Sequence, residues 1–370
     1  MTGEIVQFGT SRFLQAHADL MLSQARDAGQ SVGPITVVET TGSPASRARV
    51  AAFAQAKSFP VHIRGLYNGQ MRDERLEVSG IGGGLSAREN AEALRDAFIK
   101  ARYVLSNTGD SGYAVPERPM PTLDDWTGFP ELLTALLRER FEATGAALTL
   151  LPCELISRNG DTLRAIVIEL AREGQGSKAF VRWIEERCIF VNALVDRIVS
   201  EPLDPIGAVA EPYALWAFEA QPGFEPPCTH EQMVVVPDLG PFERKKLFIL
   251  NLSHTLLAQH WLDNGAPNGL TVREAMADQE TRTWLDTIVT ADILPAFPSG
   301  DDAPGYWAQC RDRFDNPFLN HRLADIASNH AAKIEWRAKG FLDWVGVSNG
   351  RASCPHLRAA FGSAINAGME

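Results

Sequence analysis

Short apolar runs alternate with helical patterns along the N-terminal part of the chain. A β-prone run at residues 5–8 ends at Gly9, and apolar side chains then recur at helical spacing until Gly29 closes the helix. A second apolar run at residues 35–38 ends in Glu39. A strand, a helix and a strand within about forty residues predict the start of a dinucleotide-binding, Rossmann-like domain.

A hairpin is predicted after this unit. Asn68-Gly69 joins an extended segment at residues 61–67 to a second one that runs to Val78, and Asn-Gly is the strongest short-range hairpin signal. The strands on either side of this turn should therefore be antiparallel.

A glycine-rich run and a capping pattern follow the hairpin. Residues 80–84 are interpreted as a flexible loop. The serine and glutamate of residues 86–89 have the spacing of a capping box, which predicts a helix from there to about residue 101.

Strand-like and helix-like segments continue to alternate up to residue 236, as a mostly parallel sheet requires. They are a strand at 103–106, a helix at 130–145, a strand at 147–151, a helix at 161–173 and strands at 188–191 and 233–236.

Long helical patterns with few β-branched runs occupy the rest of the chain. The predicted fold class is α/β, with a Rossmann-like domain over residues 1–236 and a mainly α-helical domain over residues 237–370. Asn316-Pro317 is interpreted as a cap and first helical residue. The predicted helical segments are 244–262, 272–278, 282–293 and 316–344.

Charge and hydropathy narrow the possible partners. Lysine and arginine number 35 against 46 aspartates and glutamates, and the net charge of −11 disfavours nucleic acid. A local basic cluster could still bind a sugar acid. The sequence shows no leader pattern and no run near the roughly 20 apolar residues of a membrane span, so a cytoplasmic protein is expected.

The cysteines do not suggest a metal site or a disulfide. The five cysteines are scattered and never form a Cys-x-x-Cys pair, which is typical of a reducing compartment. Cys228 and His230 could supply half of a metal site, but zinc normally needs three or four protein ligands. We therefore expect no metal.

The first turn and the end of the second strand carry candidate cofactor residues. Gly9 would let the backbone approach a pyrophosphate at a helix N-terminus, although Ser11 replaces the second glycine of the usual pattern. Glu39 could accept hydrogen bonds from the adenosine ribose and repel a 2′-phosphate, which favours NAD over NADP. The alternative is that Glu39 is a solvated strand end.

Three polar residues in the C-terminal part could act on one alcohol. Asn251 and His254 are three residues apart and so adjacent on a helix, and Lys246 lies one to two turns earlier. A desolvated lysine could take the alcohol proton while the other two bond the developing alkoxide. The alternative is a helix with basic residues on its solvated side.

The spacing Lys246-x4-Asn251-x2-His254 resembles the signature of the long-chain mannitol dehydrogenase family, whose members use a lysine base and no metal. Other segments are similar to family motifs along nearly the whole chain. The resemblance implies cofactor contacts by Phe13, Ser106, Asn107 and Asp196 beside Gly9, Ser11 and Glu39. The similar segments are Gly9 with Phe13, Ala16 and His17, residues 104–108, residues 195–198, and residues 312–317.

Within the family, residues 151–156 with 159–160 and residues 321–327 look most like the tagaturonate reductase (altronate oxidoreductase) branch. Mannitol-specific members are expected to have an asparagine near Leu155 and an arginine near Asp325. The chain is also shorter than typical tagaturonate reductases.

The resemblance implies an NAD-dependent oxidoreductase that interconverts a secondary alcohol of a sugar acid or polyol with the ketone. The helical domain is expected to close over the substrate, with Arg322 or Lys333 holding a carboxylate unless both are ordinary surface charges. The alternatives are a mannitol-type polyol dehydrogenase and, because of Ser11, a catalytically silent NAD-binding regulator. The oligomeric state is left open.

Overall fold

Two compact units make up the chain. The computed structural model describes residues 4–108, 113, 121–173, 176–349 and 353–366. The first unit comprises Met1–Ile63, Glu74–Ala210 and Ala214–Leu239, and the second comprises Arg64–Asp73, Glu211–Tyr213 and Gly240–Glu370.

The main sheet of the first unit has six strands in the order β5-β2-β1-β6-β7-β8, and each neighbouring pair runs parallel. Smaller sheets have the orders β10-β11-β3-β4 and β13-β12-β9. The strands are β1 Glu4–Phe8, β2 Ile35–Glu39, β3 Ser58–Tyr67, β4 Gln70–Ser79, β5 Ile81–Ser86, β6 Ala101–Ser106, β7 Leu148–Pro152, β8 Cys188–Phe190, β9 Ala193–Asp196, β10 Val199–Pro202, β11 Ala208–Ala210, β12 Leu215–Glu219 and β13 Met233–Val236.

Helices cover both faces of the parallel sheet, which is why its strands are apolar almost throughout. Ile5 packs into the core on one face, and Val6 and Phe8 pack into the core on the other. The helical segments of this unit are Arg12–Leu14, the π-helical Gln15–Asp19, Leu20–Asp27, Pro44–Gln55, Ala91–Lys100, Phe129–Ala143, Asn159–Glu173 and Lys178–Arg187.

The second unit is mainly helical, and the predicted fold class is confirmed. Its core is formed by apolar side chains such as Leu256, Leu285 and Phe341. Its helical segments are Gly240–Lys245, the π-helical Lys246–Asn251, Leu252–Asp263, Val272–Ala277, Gln279–Ile288, the π-helical Val289–Ile293, the 3₁₀ turn Leu294–Ala296, Ala303–Phe314, Leu323–Ile326, His330–Lys333, the π-helical Ile334–Lys339, Gly340–Asn349, Pro355–Phe361 and Ser363–Asn366.

The glycine-rich residues after the hairpin form a strand, so their interpretation as a loop was wrong. Gly84 lies in β5, where an added Cβ would come within 2.2 Å of the Val50 carbonyl oxygen. The glycines let the helix Pro44–Gln55 pack against the edge of the sheet, which is a tertiary requirement with no local signal.

The capping pattern at residues 86–89 does not start a helix. Ser86 ends β5, its hydroxyl donates to Glu39, and the next helix begins at Ala91 after Asn90. Pairing with β2 holds this serine in a strand, which overrides the local capping preference.

Asn316-Pro317 also does not begin a helix. Asn316 is buried in a turn, where its Nδ2 donates to the Arg64 carbonyl at 3.1 Å and its Oδ1 accepts from the Phe318 amide at 3.0 Å. The asparagine therefore fastens the predicted hairpin, whose end belongs to this unit, instead of capping a helix.

Two further findings concern membrane helices and cysteines. Within the described ranges no helix is long and apolar enough to cross a membrane. All five cysteines are buried free thiols.

Candidate active site

The turn after β1 lies where the sheet order changes direction, since β1 pairs with β2 on one side and β6 on the other. In open α/β sheets, ligands bind at such a point beyond the carboxyl ends of the strands. Gly9 has a φ of +125°, and an added Cβ would lie 2.8 Å from the Asn107 carbonyl oxygen. Packing against the loop after β6 therefore requires glycine here, independently of any phosphate.

Ser11 has a defined role at the position where the family pattern has glycine. Its hydroxyl accepts from the Leu14 amide at 3.2 Å and donates to Asn107 Oδ1 at 3.0 Å. It thus caps the first helix and connects that cap to the loop after β6. The first backbone amides of a helix have no partner within the helix and point outwards from its N-terminus. Amides in this arrangement can bind a pyrophosphate.

Ser106 and Thr108, on either side of Asn107, are held by Glu154, a residue that the sequence did not single out for a site. Asn107 Nδ2 donates to the Cys153 carbonyl at 2.9 Å, and Ser106 Oγ donates to Glu154 Oε2 at 3.0 Å. The buried Glu154 carboxylate also accepts from Thr108 and Tyr113. Burial and the Glu154 charge raise the pKa of Tyr113. The hydroxyl therefore stays protonated and donates.

Glu39 is almost completely buried at the end of β2, with 2% of its surface exposed. Its two carboxylate oxygens accept from Ser86 Oγ at 2.6 Å and from the Gly42 amide at 2.7 Å. A carboxylate offers about four acceptor positions, so each oxygen retains capacity for one more donor.

Phe13 lies in the helix that Ser11 caps, whereas Asp196 lies elsewhere in the first unit. The Phe13 ring stacks on His17 with centroids 4.7 Å apart. Asp196 is buried at the end of β9, outside the six-stranded sheet, and the neighbouring Arg197 donates to the Ala16 carbonyl. The structure therefore brings Gly9, Ser11 and Asn107 together but places Asp196 in a separate sheet.

In the second unit, Lys246 and Asn251 are the first and last residues of a π-helical segment. Five residues on an α-helix turn through about 140° beyond a full turn, which would point the two side chains apart. The i→i+5 hydrogen bonding of a π-helix instead makes residues five apart neighbours. This local geometry accounts for a spacing that an α-helix does not explain.

His254 follows in the first turn of the helix Leu252–Asp263 and is buried. Its ring lies 4.8 Å from the Phe314 ring and 4.9 Å from the His321 ring, measured between centroids. Burial is the main cause that lowers the pKa of His321. Neutral histidine is therefore favoured beside His254.

Lys333 and Arg322 have different surroundings. Lys333 is partly buried and its Nζ donates to the Ile326 carbonyl at 2.7 Å, whereas Arg322 is exposed at the start of the helix Leu323–Ile326. Burial and the charge of Arg337 lower the pKa of Lys333. Arg337 itself donates to the Asn251 carbonyl at 3.1 Å.

A buried ion pair lies in the second unit, and nothing in the sequence predicted that its two residues meet. Arg313 meets Glu211 through two contacts of 2.8 and 3.0 Å, with side-chain exposures of 2% and 1%. The guanidinium also lies over the Tyr213 ring. Among the described residues no group of three histidine, cysteine or acidic side chains is placed to hold a metal ion.

Comparison with known proteins agrees with this architecture in both units. Residues 3–226 match the family model of the mannitol dehydrogenase Rossmann domain, and residues 238–349 match that of the mannitol dehydrogenase C-terminal domain. The chain belongs to the mannitol dehydrogenase family. The predicted resemblance is confirmed, and the protein is an NAD-dependent dehydrogenase that acts on CH–OH groups.

Curated relatives of this mannitol dehydrogenase family member include altronate oxidoreductases. The enzyme of Bacillus subtilis (strain 168) is 29% identical over 358 residues, covering 90% of this chain and 73% of that protein. The enzyme of Yersinia pestis is 30% identical over 367 residues with the same coverage.

Solved structures share the fold at lower identity. A substrate-free D-sorbitol dehydrogenase superposes with a TM-score of 0.80 at 22% identity, covering 95% of this chain and 78% of that chain. The mannitol 2-dehydrogenase of Pseudomonas fluorescens, in a ternary complex with NAD and D-mannitol, superposes with a TM-score of 0.75 at 20% identity. The match covers 98% of this chain and 79% of that chain.

Proposed function

We propose that this protein oxidises a secondary alcohol of a sugar acid to the ketone, or runs the reverse reaction, on an altronate- or mannonate-like substrate. The observation that supports the chemistry is the π-helical segment, because its five-residue repeat aligns Lys246 with Asn251, which lies three residues before His254. The altronate oxidoreductase relatives support an aldonate substrate.

The residues of the first unit fit a dinucleotide. Gly9, Ser11 and Asn107 form a helix-capped turn at the point where the sheet order changes direction, and Glu39 ends the adjacent strand with acceptor capacity left. The backbone amides at the start of the helix that Ser11 caps would bind the pyrophosphate. The Glu39 carboxylate would accept hydrogen bonds from the ribose hydroxyls. A bound NAD would supply the acceptor for the hydride that leaves the alcohol carbon.

The second unit supplies the proton chemistry. Lys246 Nζ, in its unprotonated form, accepts the hydroxyl proton as the carbon–hydrogen bond breaks, leaving a C=O bond. Asn251 Nδ2 and the His254 ring donate to the oxygen while its negative charge develops. Lys333 holds the substrate carboxylate, since it is partly buried and close enough to His321, the neighbour of His254, to lower its pKa, whereas Arg322 is exposed.

A substrate panel tests the proposal. NAD reduction is measured with altronate, mannonate and mannitol, and the highest kcat/KM is expected for one of the two aldonates. Turnover of mannitol alone would identify a polyol dehydrogenase. NAD binding without turnover of any of the three would support the regulator and contradict the proposal.

A further inference from the structure

Arg337 occupies an unusual position for an arginine in the second unit. It is partly buried in the π-helical segment Ile334–Lys339, which packs against the segment that carries Lys246 and Asn251. Its Nη1 donates to the Asn251 carbonyl at 3.1 Å and to Thr255 Oγ1 at 3.0 Å. The guanidinium is therefore fixed directly behind a residue of the proposed reaction site.

No carboxylate in the described part of the chain lies within ion-pair distance of Arg337 or Lys333. Glu335, on the same segment, is instead paired with Lys339 at 2.7 Å. Burial lowers the pKa of Arg337, which records the cost of holding this charge away from water. A partly buried cation without an anion gains when an anionic ligand arrives.

The groups around Arg337 add to the positive charge. Lys333 precedes Arg337 by four residues. The positive charge of Arg337 lowers the pKa of Lys333, which shows that the two cations interact. His321 lies beside His254 and is influenced by Lys333, with the exposed Asp325 as the nearby opposing charge. Lys333 and Arg337 therefore form an electropositive pair within an acidic protein, and burial favours the neutral form of the neighbouring His321.

Arg337 still has donors to offer. Within the described residues, its hydrogen bonds to protein use Nη1, and Nε–H and the two Nη2 hydrogens remain for a ligand. Those donors form a planar fork that matches the two oxygens of a carboxylate, a geometry that lysine does not reproduce.

We infer that Arg337 is a specificity-determining residue that binds the carboxylate of the substrate together with Lys333. This inference rests on the proposed function and narrows it, because it makes an aldonate the preferred substrate over a neutral alditol of the same configuration. Such an alditol offers CH₂OH where the aldonate offers two charged oxygens.

The test compares altronate with altritol, its neutral counterpart, in wild type, Arg337→Gln, Arg337→Lys and Arg273→Gln. The glutamine variant should raise KM for altronate by about 10- to 100-fold, the range of a lost hydrogen bond to a charged group, and leave KM for altritol nearly unchanged. The KM of Arg337→Lys for altronate should lie between those of wild type and Arg337→Gln. Arg273 is exposed on the helix Val272–Ala277, and its loss should change neither value.

Parallel calorimetry of altronate binding to the protein with NADH separates this inference from the proposed function. If wild type turns over no aldonate, the proposed function is contradicted. Weaker binding of altronate to Arg337→Gln than to wild type would even then support the carboxylate site. Equal losses for altronate and altritol would indicate that Arg337 only positions Asn251, and they would overturn the inference. Should Arg337→Gln fail to fold, an unchanged KM ratio in Arg337→Lys would overturn it.

Discussion

Lys245 and Lys246 are adjacent in the sequence but belong to different local structures. Lys245 ends the helix Gly240–Lys245, and its Nζ donates to the Asp301 carbonyl at 2.9 Å and lies over the Phe242 ring. Lys246 begins the π-helical segment that ends at Asn251. Because Lys245 Nζ is held by a backbone carbonyl and Lys246 shares the π-helical segment with Asn251, the local structure favours Lys246 as the base.

Lys246→Ala should lower kcat by about 10²–10⁴-fold, the usual effect of losing an acid–base group, and leave NAD affinity nearly intact. Lys245→Ala is the control, and it should lower kcat only slightly. Added primary amines should partly restore the first variant, because a small amine can accept the proton in the vacated space. Near-normal turnover by Lys246→Ala would refute this assignment.

Glu39 is expected to determine cofactor choice. Wild type should prefer NAD to NADP, and Glu39→Ala should narrow the ratio of the two kcat/KM values because it removes a charge that repels a 2′-phosphate. The change also frees Ser86 Oγ and the Gly42 amide, so some loss of stability is expected. A wild-type preference for NADP would show that Glu39 does not face the ribose.

Asp19 makes the stability of the fold dependent on pH. It is fully buried, Gln7 donates a 3.4 Å hydrogen bond to it, and burial raises its pKa to about 7. The unfolded carboxyl titrates near pH ~4. The folded state therefore retains a proton that the unfolded state loses, and this contribution is present below pH ~4 and lost as the pH rises through about 7.

Thermal unfolding of wild type and Asp19→Asn between pH 4 and 8 measures the effect. The stability of wild type relative to the variant should fall by roughly 1–4 kcal/mol over this interval and level off above pH ~7. Asp27→Asn, which removes an exposed carboxylate at the end of the following helix, should show no such trend. Parallel curves for wild type and Asp19→Asn would contradict the assigned cause.

At the level of elements, the hairpin formed by β3 and β4 depends on its two turn residues. Asn68 and Gly69 both have positive φ, at 52° and 71°, as the predicted Asn-Gly turn requires. The Gly69 amide donates to Asp312 Oδ2 at 3.0 Å, and Arg64 lies over the Phe318 ring at 3.8 Å. The end of the hairpin is therefore part of the second unit.

Gly69→Ala should destabilise the protein by about 1 kcal/mol, because an L-residue is strained at this φ. Gly300→Ala is a matched control, since both glycines have open space around an added Cβ and only Gly69 has a positive φ. The control should be neutral or slightly stabilising. Equal shifts of the urea midpoint in both variants would argue against a backbone cause.

The whole molecule combines a net charge of −11 with the basic pair of Lys333 and Arg337 in the second unit. Long-range electrostatics therefore disfavour polyanions, while the pair can bind a single carboxylate at short range. The charge of the protein does not predict the charge of its substrate.

Turnover is predicted to be independent of metal, because a lysine takes the proton and the sequence offers no recognisable three-ligand spacing. Exhaustive treatment with EDTA should leave the rate on the best substrate unchanged. Loss of activity that zinc restores would contradict the lysine mechanism. Magnesium addition after chelation serves as a control for nonspecific ionic effects.

The sequence by itself determined those features that depend on neighbouring residues. Alternating apolar runs predicted the parallel sheet, Asn68-Gly69 predicted the hairpin, and the spacing of Lys246, Asn251 and His254 indicated the family. Each signal lies within one element or one turn, where periodicity and turn preferences act directly.

Only the tertiary structure decided which distant residues meet. Gly84 requires glycine because a helix carbonyl lies against it, and Glu154 accepts from Ser106 and Thr108 on either side of Asn107. Arg337 lies behind Asn251, 86 residues away in sequence. These contacts depend on packing between elements far apart in the chain, and local spacing carries no information about them.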